Sequence, residues 1–196
     1  MRVGYNPKLG RIKTDVKNVT IDRAFLAHFQ VTAANAVAQD LVSVLAATTL
    51  TTAVQNITTG ITNPAVPRNL RVKGNQAGVA GDVIVTGTNY ADEVITETFA
   101  LNGANAVEGN KAFKTITSVQ LPVEVNAGTD TVSIGAGNKL GLPYKLAHNT
   151  VLHAYRDNAK EGTTPTVAVS ATALESNTVL LNSALNGTVI DVYLMV

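Results

Sequence analysis

The residues best placed to do chemistry lie in the stretch VSIGAGNKLGLPYKL, from Val132 to Leu146, which carries three glycines and two lysines, with Lys139 between the second and third glycine. Glycines followed by a lysine are the ingredients of a phosphate-binding loop, but such a loop requires Ser or Thr directly after its lysine. Here Leu140 follows Lys139, and Gly141 stands one residue too late for the dinucleotide-binding fingerprint. Pro143 also prevents a helix from starting here with its N-terminus aimed at a phosphate. We therefore interpret the glycines as positive-φ residues of a turn between strands, and we predict no nucleotide or other cofactor.

The remaining candidates for chemistry are three histidines and one pair of carboxylates. His28, His148 and His153 have neither the i, i+4 spacing of helical metal ligands nor the i, i+2 spacing of ligands on a strand, so we predict no metal site. Glu93 and Glu97 fall on one face of a predicted strand, a pattern that suggests paired carboxylates for glycoside cleavage. A hydrolase on a β scaffold therefore stays as an alternative, although a solvated strand face explains the same spacing. We predict that the protein is not an enzyme.

The composition of the chain favours strands and excludes several classes of partner. The chain has 196 residues, is 45% hydrophobic and 15% charged, and is rich in Thr, Val, Ala, Asn and Gly, which is typical of half-buried strands joined by tight turns. It has no cysteine, which excludes disulfides and fits assembly in a reducing cytoplasm. It also has no apolar signal segment, and its most apolar stretch, residues 41–50, is about half the length of a membrane helix. Because the net charge is only +1 and tryptophan is absent, we expect neither nucleic acid nor a membrane as partner.

Positive charge is concentrated at the N-terminus. Residues 1–23 contain six basic and two acidic residues, whereas residues 24–196 contain nine basic and twelve acidic ones. This contrast indicates either a poorly ordered solvated terminus or an arm that lies on an acidic partner, and the lack of clustered arginines argues against nucleic acid. We divide the chain into an extended basic arm, residues 1–23, and a single β-rich domain, residues 24–196. The predicted partner contacts of the arm are Arg2, Lys8, Arg11, Lys13 and Lys17.

The first half of the chain contains the only pattern typical of a helix. Residues 25–33 alternate as a strand, and the spacing of the apolar residues that follow predicts a helix of about three turns over 33–47, with an extended segment as the alternative. Residues 63–69, with two prolines, interrupt the pattern and mark a possible subdivision of the domain. The apolar residues at helical spacing are Val37, Leu41, Val44 and Leu45.

After this break the pattern predicts strands and turns almost to the end of the chain. Residues 83–90 and 93–101 predict a hairpin over the turn NYAD, and Asn186–Gly187 predicts another hairpin. The last strand, 188–196, is apolar on both faces apart from Asp191, which predicts a central position in a sheet that is covered on both sides. We therefore predict an all-β, mainly antiparallel fold. It would be a β-sandwich or barrel-like domain with an extended basic N-terminal arm and at most one or two short helices.

Several runs of the sequence, in their order, resemble a class of virion structural proteins of tailed bacteriophages. These proteins occur among head genes as capsid decoration or auxiliary head proteins. The similarity covers residues 55–196, whereas residues 1–54 match less clearly. The runs are ITTGITNPAVPRNLRVKGN, GDVIVTGTNYADEVITETFAL, KAFKTITSVQLP, GAGNKLGLPYKL and the ending SNTVLLNSALNGTVIDVYLMV.

The resemblance implies a non-enzymatic role in the phage particle. It implies a decoration or cement protein that binds the major capsid protein on the capsid exterior, after assembly in the host cytoplasm. It also implies a homo-oligomer, with a trimer favoured. The alternative is a tail or fibre component that recognises a host surface glycan through loops such as 75–82 or 102–110. That alternative lacks an aromatic platform in the sequence, because the tyrosines and phenylalanines lie mostly in predicted strands.

Overall fold

Strands account for nearly all regular structure in this computed structural model, which describes residues 12–13, 15–18, 20–21 and 24–196. The predicted all-β class is confirmed, and the single helical element of the described chain is the 3₁₀ turn Leu174–Ser176. The sixteen strands of the described residues are β1 (Ile12–Lys13), β2 (Thr20–Ile21), β3 (Leu26–Val31), β4 (Leu45–Thr49), β5 (Gln55–Ile57), β6 (Arg68–Gly74), β7 (Asp82–Thr88), β8 (Val94–Ala100), β9 (Val107–Glu108), β10 (Thr115–Leu121), β11 (Thr131–Gly141), β12 (Val151–Arg156), β13 (Ala159–Lys160), β14 (Thr166–Ala168), β15 (Thr178–Leu180) and β16 (Ile190–Met195).

The strands form three larger antiparallel sheets and one short hairpin. The N-terminal sheet has the order β5-β10-β7-β8, and the C-terminal sheet has the order β13-β12-β16-β3. Between them lies a central sheet of order β14-β15-β11-β6-β9, in which β4 also pairs with β11. The hairpin pairs β1 with β2, before the first long strand of the domain.

Strand β11 contributes to two separate hydrophobic cores. Its first half places Ile134 in a core between the N-terminal sheet and the β4-β11-β6 part of the central sheet. Its last residues place Leu140 in a second core, between the C-terminal sheet and the β14-β15 end of the central sheet. Both side chains are fully buried, and the inward residues of the facing strands alternate with outward ones, as in packed sheets. The two cores therefore share one continuous strand.

The glycine-rich stretch at Val132–Leu146 forms most of β11, so the prediction that its glycines occupy positive-φ turn positions is wrong. The physical reason for glycine here is close packing rather than backbone conformation. A Cβ atom on Gly135 would lie 2.3 Å from Oδ1 of Asp40, and one on Gly137 would lie 2.1 Å from Oδ1 of Asn69. The glycines thus leave room for polar side chains that pack directly on the strand.

The helix predicted over residues 33–47 is also wrong: a turn at 33–35 is followed by a segment without regular structure, a bend at 41–44 and strand β4 from Leu45, so the alternative of an extended segment holds only in part. The backbone N–H of Asp40 donates to the Ala136 carbonyl at 3.0 Å, and that of Val44 donates to the Ile134 carbonyl at 3.0 Å. These bonds to β11 replace the i to i−4 bonds of a helix. Oδ1 of Asp40 accepts hydrogen bonds from the N–H groups of Val42 and Ser43, which forms a local turn instead of a helical one.

Of the two predicted hairpins, one is confirmed and one is wrong. Strands β7 and β8 pair over the turn NYAD, where the Asn89 side-chain oxygen accepts the N–H groups of Ala91 and Glu93. Asn186–Gly187 does form a turn, with a φ of 79° at Gly187, but its flanking strands β15 and β16 belong to different sheets. The prediction that the last strand is central is confirmed, because β16 lies between β12 and β3. The prediction that it is covered on both sides is wrong, because Tyr193 and Met195 on its outward face stay partly exposed.

Candidate functional site

The predicted arm contacts lie almost entirely outside the described residues. Arg2, Lys8 and Arg11 fall outside them, and of Lys13 only the backbone is described, in β1. Lys17 lies exposed in the turn between β1 and β2. The role of these five residues in binding a partner stays a prediction.

The two glutamates suggested as a carboxylate pair bind different loops. Oε2 of Glu93 accepts a hydrogen bond from the Asn89 side-chain amide at 2.8 Å, within the NYAD turn. Oε1 of Glu97 accepts the backbone N–H groups of Asn110 at 2.6 Å and Lys111 at 3.3 Å. Burial raises the pKa of Glu97, and these hydrogen bonds and the nearby lysines oppose the increase. Both carboxylates therefore stabilise turns next to β8.

The histidines lie far apart in sequence, but strand pairing brings two of them close to the same tyrosine. In the register of the C-terminal sheet, His28 on β3 and His153 on β12 both lie opposite Tyr193 on β16. His148 lies exposed in the loop before β12. Across the described residues, no group of three or more histidines and carboxylates is arranged to hold a metal ion.

The outward face of the C-terminal sheet brings together six polar and aromatic residues from three strands. Alternation along β3, β12 and β16 directs Phe29, Ala154 and Val192 into the second core and their neighbours outward. We call this surface the tyrosine face. Its members are His28, Gln30, His153, Tyr155, Asp191 and Tyr193.

The rings of the tyrosine face support one another. The imidazole of His28 stacks on the ring of Tyr193 with centroids 4.8 Å apart and an interplanar angle of 10°. The rings of Tyr155 and Tyr193 are in edge-to-face contact, with centroids 5.8 Å apart and an interplanar angle of 87°. The rings of His153 and Tyr155 make a similar contact, with centroids 6.5 Å apart and an interplanar angle of 86°. Stacked and edge-to-face arrangements are the favoured geometries for aromatic pairs, so the rings are held in place before any ligand arrives.

Asp191 is the carboxylate of this face, and only 8% of the residue is exposed. Its Oδ1 accepts hydrogen bonds from Nε2 of His28 at 2.7 Å and from Nε2 of Gln30 at 2.8 Å. No group of the described chain donates to its second oxygen, Oδ2. The carboxylate is therefore fixed in orientation and retains an acceptor for a further donor.

An open pocket of about 240 Å³ lies on the tyrosine face, lined by Tyr155, Asn158, Asp191 and Tyr193. Asn158 reaches the pocket from the tight turn that joins β12 to β13. Asp157 and Asn158 have φ values of 49° and 63°, the pattern of a type I′ hairpin turn, which suits Asn and Asp. Each polar residue of the pocket is thus carried by a strand or by a tight hairpin turn.

The second exposed feature of this sheet is the outer edge of β3, which we call the β3 edge. Mutual hydrogen bonds of 2.8 and 2.9 Å between Phe25 and Val196 show that odd-numbered residues of β3 point their backbone groups toward β16. The N–H and C=O groups of Leu26, His28 and Gln30 therefore point away from the sheet, and no group of the described chain pairs with them. At the exposed edge of β8, by contrast, Nζ of Lys111 donates to the Thr96 carbonyl.

An apolar surface adjoins the β3 edge where the arm meets the domain. Phe25 is exposed, and 62% of Leu26 is accessible to solvent. Next to them lies an open, mainly apolar groove, whose lining residues include Ala24, Leu146, Met195 and Val196 as well as Lys145 and His148. Unpaired backbone groups beside exposed apolar side chains are typical of a surface that another chain covers.

Sequence reasoning missed both surfaces. The signal for the tyrosine face was present as the spaced pairs His28-x-Gln30, His153-x-Tyr155 and Asp191-x-Tyr193, each with an apolar residue between. This signal could not be used, because partners such as His28 and Asp191 lie 163 residues apart and only the strand order brings them together.

Comparison of the chain with protein-family models, with curated proteins and with solved structures gives no match. Within the described residues, no helix has the length and apolar character needed to cross a membrane.

Proposed function

We propose that the protein is a non-enzymatic structural component of a tailed-bacteriophage particle, which binds the major capsid protein on the capsid exterior as a decoration protein. Two considerations support this proposal. The resemblance over residues 55–196 points to this class of virion protein, and the all-β, cysteine-free fold suits a protein that must persist outside a cell.

The observation that carries the proposal is the β3 edge. The strand LAHFQV contains no proline and no lysine, the residues that commonly protect an exposed edge from pairing with another chain. Its outward N–H and C=O groups offer a row of hydrogen bonds to an extended segment of a partner, and the exposed Phe25 and Leu26 add apolar contact area. A segment of capsid protein that pairs with β3 as an additional strand would form these hydrogen bonds and cover the two apolar side chains.

The basic arm joins the domain at this surface, because Ala24, the first residue after the arm, lines the apolar groove. The arm and the β3 edge would therefore contact neighbouring parts of one partner, and their weak contacts would reinforce each other. A stable contact requires about 800 Å² per partner. A homo-oligomer, for which we propose a trimer, would multiply the number of contacts per bound particle.

Occupancy on purified capsids that lack the protein tests this proposal. We expect the full chain to bind to saturation, and we expect deletion of residues 1–20 or the substitution Leu26→Lys to weaken binding by about tenfold, since each removes contacts at the same surface. Leu152→Lys is the matched control, because Leu152 is an exposed leucine of the same sheet that lies on β12, away from the β3 edge. This control should bind like the unmodified chain.

The two variants separate the parts of the proposal. If Leu26→Lys weakened capsid binding and the deletion of residues 1–20 did not, the interface would include the β3 edge but not the arm. Failure of the full chain to bind capsids, or unchanged occupancy with both variants, would contradict the proposed function.

A further inference from the structure

We propose that the pocket of the tyrosine face is a binding site for a neutral saccharide, which holds one pyranose ring between Tyr155, Tyr193, Asp191 and Asn158. This inference rests on the geometry of the pocket and does not depend on which protein the β3 edge contacts.

The aromatic part of the pocket suits the apolar side of a sugar. A pyranose presents C–H groups on one side of its ring, and these pack on tyrosine rings, which combine a large apolar area with a polar hydroxyl. Tyr193 is already held by the stacked His28, and Tyr155 is held by edge contact with Tyr193. Because these side chains are ordered beforehand, little conformational entropy is lost when a ligand binds.

The polar part of the pocket suits sugar hydroxyl groups. Oδ2 of Asp191, the amide of Asn158 and the hydroxyl groups of Tyr155 and Tyr193 receive no hydrogen bond from any part of the described chain. Together they provide acceptors and donors, and a sugar hydroxyl uses both. The hydrogen bonds from His28 and Gln30 fix Asp191, so its free oxygen is aimed before binding, and a hydroxyl that donates to it makes a charge-assisted hydrogen bond.

Charge and size define the class of saccharide. Asp191 is the one charged residue among the described residues that line the pocket, so its carboxylate repels phosphate and carboxylate groups on a ligand. The pocket volume of about 240 Å³ lies below the usual range for sites that enclose a drug-sized molecule, about 300–1,000 Å³. The site therefore takes a single neutral ring, and the rest of a glycan extends over the open side.

Titration of the full chain with neutral monosaccharides tests the inference by ¹H–¹⁵N NMR. The probes are glucose, galactose, mannose, fucose and N-acetylglucosamine, with glucose 6-phosphate as the anionic comparison. We expect at least one neutral sugar to bind with a Kd on the order of 1 mM, which is the strength that a few contacts supply. We expect the shifts to be confined to residues 28–30, 153–160 and 190–195, and we expect glucose 6-phosphate to bind more weakly than glucose.

Three variants assign the binding to this pocket. Tyr155→Ala removes a ring and should weaken binding by about tenfold. Asn158→Gly removes the amide but preserves the turn, because glycine adopts positive φ without strain, and it should weaken binding by about threefold. Leu152→Ala, on the same strand but outside the pocket, should bind like the unmodified chain.

Clear results would overturn the inference. These are the absence of shifts in the pocket with every neutral sugar, equal binding by Tyr155→Ala in a chain whose remaining spectrum is unchanged, or stronger binding of glucose 6-phosphate than of glucose. Capsid occupancy of Tyr155→Ala separates this site from the proposed function, since that variant should still bind capsids.

Discussion

Buried polar side chains around β11 hold neighbouring segments of the chain against this strand by hydrogen bonds. Arg68 is fully buried and donates from Nε to the Gly137 carbonyl and from Nη1 to the Val37 carbonyl at 3.0 Å. Burial lowers the pKa of Arg68 to about 10, opposed by the charge of Asp40, so its guanidinium stays charged at neutral pH. The side-chain oxygen of Asn69, also fully buried, accepts the N–H of Lys139 at 2.9 Å. These contacts bind the extended segment 36–40 and β6 to β11.

Gly137 provides the space that this cluster requires, which leads to a prediction. In Gly137→Ala the new methyl group would lie 2.1 Å from Oδ1 and 2.5 Å from Cγ of Asn69, which is fully buried and held by hydrogen bonds to Gly109 and Lys139. We expect the free energy of unfolding to fall by about 1–3 kcal/mol, the usual cost of overpacking, in urea denaturation. Gly162→Ala is the control, because nothing lies within 4 Å of its Cβ position. Equal stability of the two variants would show that Gly137 is not required for packing.

At the scale of elements, the loop that joins β10 to β11 depends on one carboxylate. Asp130 is fully buried, and its oxygens accept the N–H groups of Val125 and Asn126 at 2.8 Å and the side-chain amide of Gln76 at 2.6 Å. These hydrogen bonds hold the pKa of Asp130 well below its ordinary value. The ionised side chain thus closes its own loop and joins it to the turn after β6.

The depressed pKa of Asp130 predicts acid sensitivity with a definite sign. Its stabilising contribution is fully present above the ordinary pKa of 3.8 and is lost as pH falls below that value toward the folded-state pKa. Asp130→Asn should therefore lower the Tm at pH 7, and the difference from the unmodified chain should shrink as pH falls below about 4. The exposed Asp82→Asn should leave the Tm unchanged at each pH. A Tm difference that stays constant from pH 7 to acid would contradict this role.

Most strands could be predicted from local sequence, whereas exceptions arose where tertiary contacts compete with local preference. Local patterns of apolar and β-branched residues correctly predicted β3, β7 and β8, and β16 was predicted from a run that is apolar on both faces. The helical spacing in 33–47 failed because backbone groups of this segment bond to β11, a contact that local propensity does not contain. The turn predicted from the glycines of 132–146 was wrong because glycine is required for a second reason as well. The side chains of Asp40 and Asn69 approach the strand so closely that a Cβ atom would not fit.

At the scale of the whole molecule, strand order decides where the functional surfaces lie. The tyrosine face draws on β3, β12 and β16, and its residues His28 and Asp191 are separated by 163 residues. Each strand taken alone shows only a polar or aromatic residue at every second position, which any half-solvated strand shows. The exposed β3 edge has the same origin, because whether a strand ends a sheet is a property of the complete pairing and not of its own residues.

The shared strand β11 raises the question of whether the molecule unfolds as one unit. Ile134 lies in the first core and Leu140 in the second, both fully buried, so loss of either core removes packing from the strand that supports the other. All four described tyrosines lie in or against the second core or on the sheet that covers it. Their near-UV circular dichroism therefore reports on the half of the molecule that does not contain Ile134.

A substitution in the first core should consequently be visible in the second. We expect Ile134→Ala and Leu140→Ala each to cost about 2–5 kcal/mol and to lower the Tm of the tyrosine signal, with far-UV and near-UV transitions that coincide. Thr163→Ala, at an exposed loop position, serves as the control and should leave both transitions in place. If Ile134→Ala lowered only the far-UV transition and left the tyrosine signal at its original Tm, the two cores would be independent folding units, and residues 24–196 would form two domains instead of the predicted one.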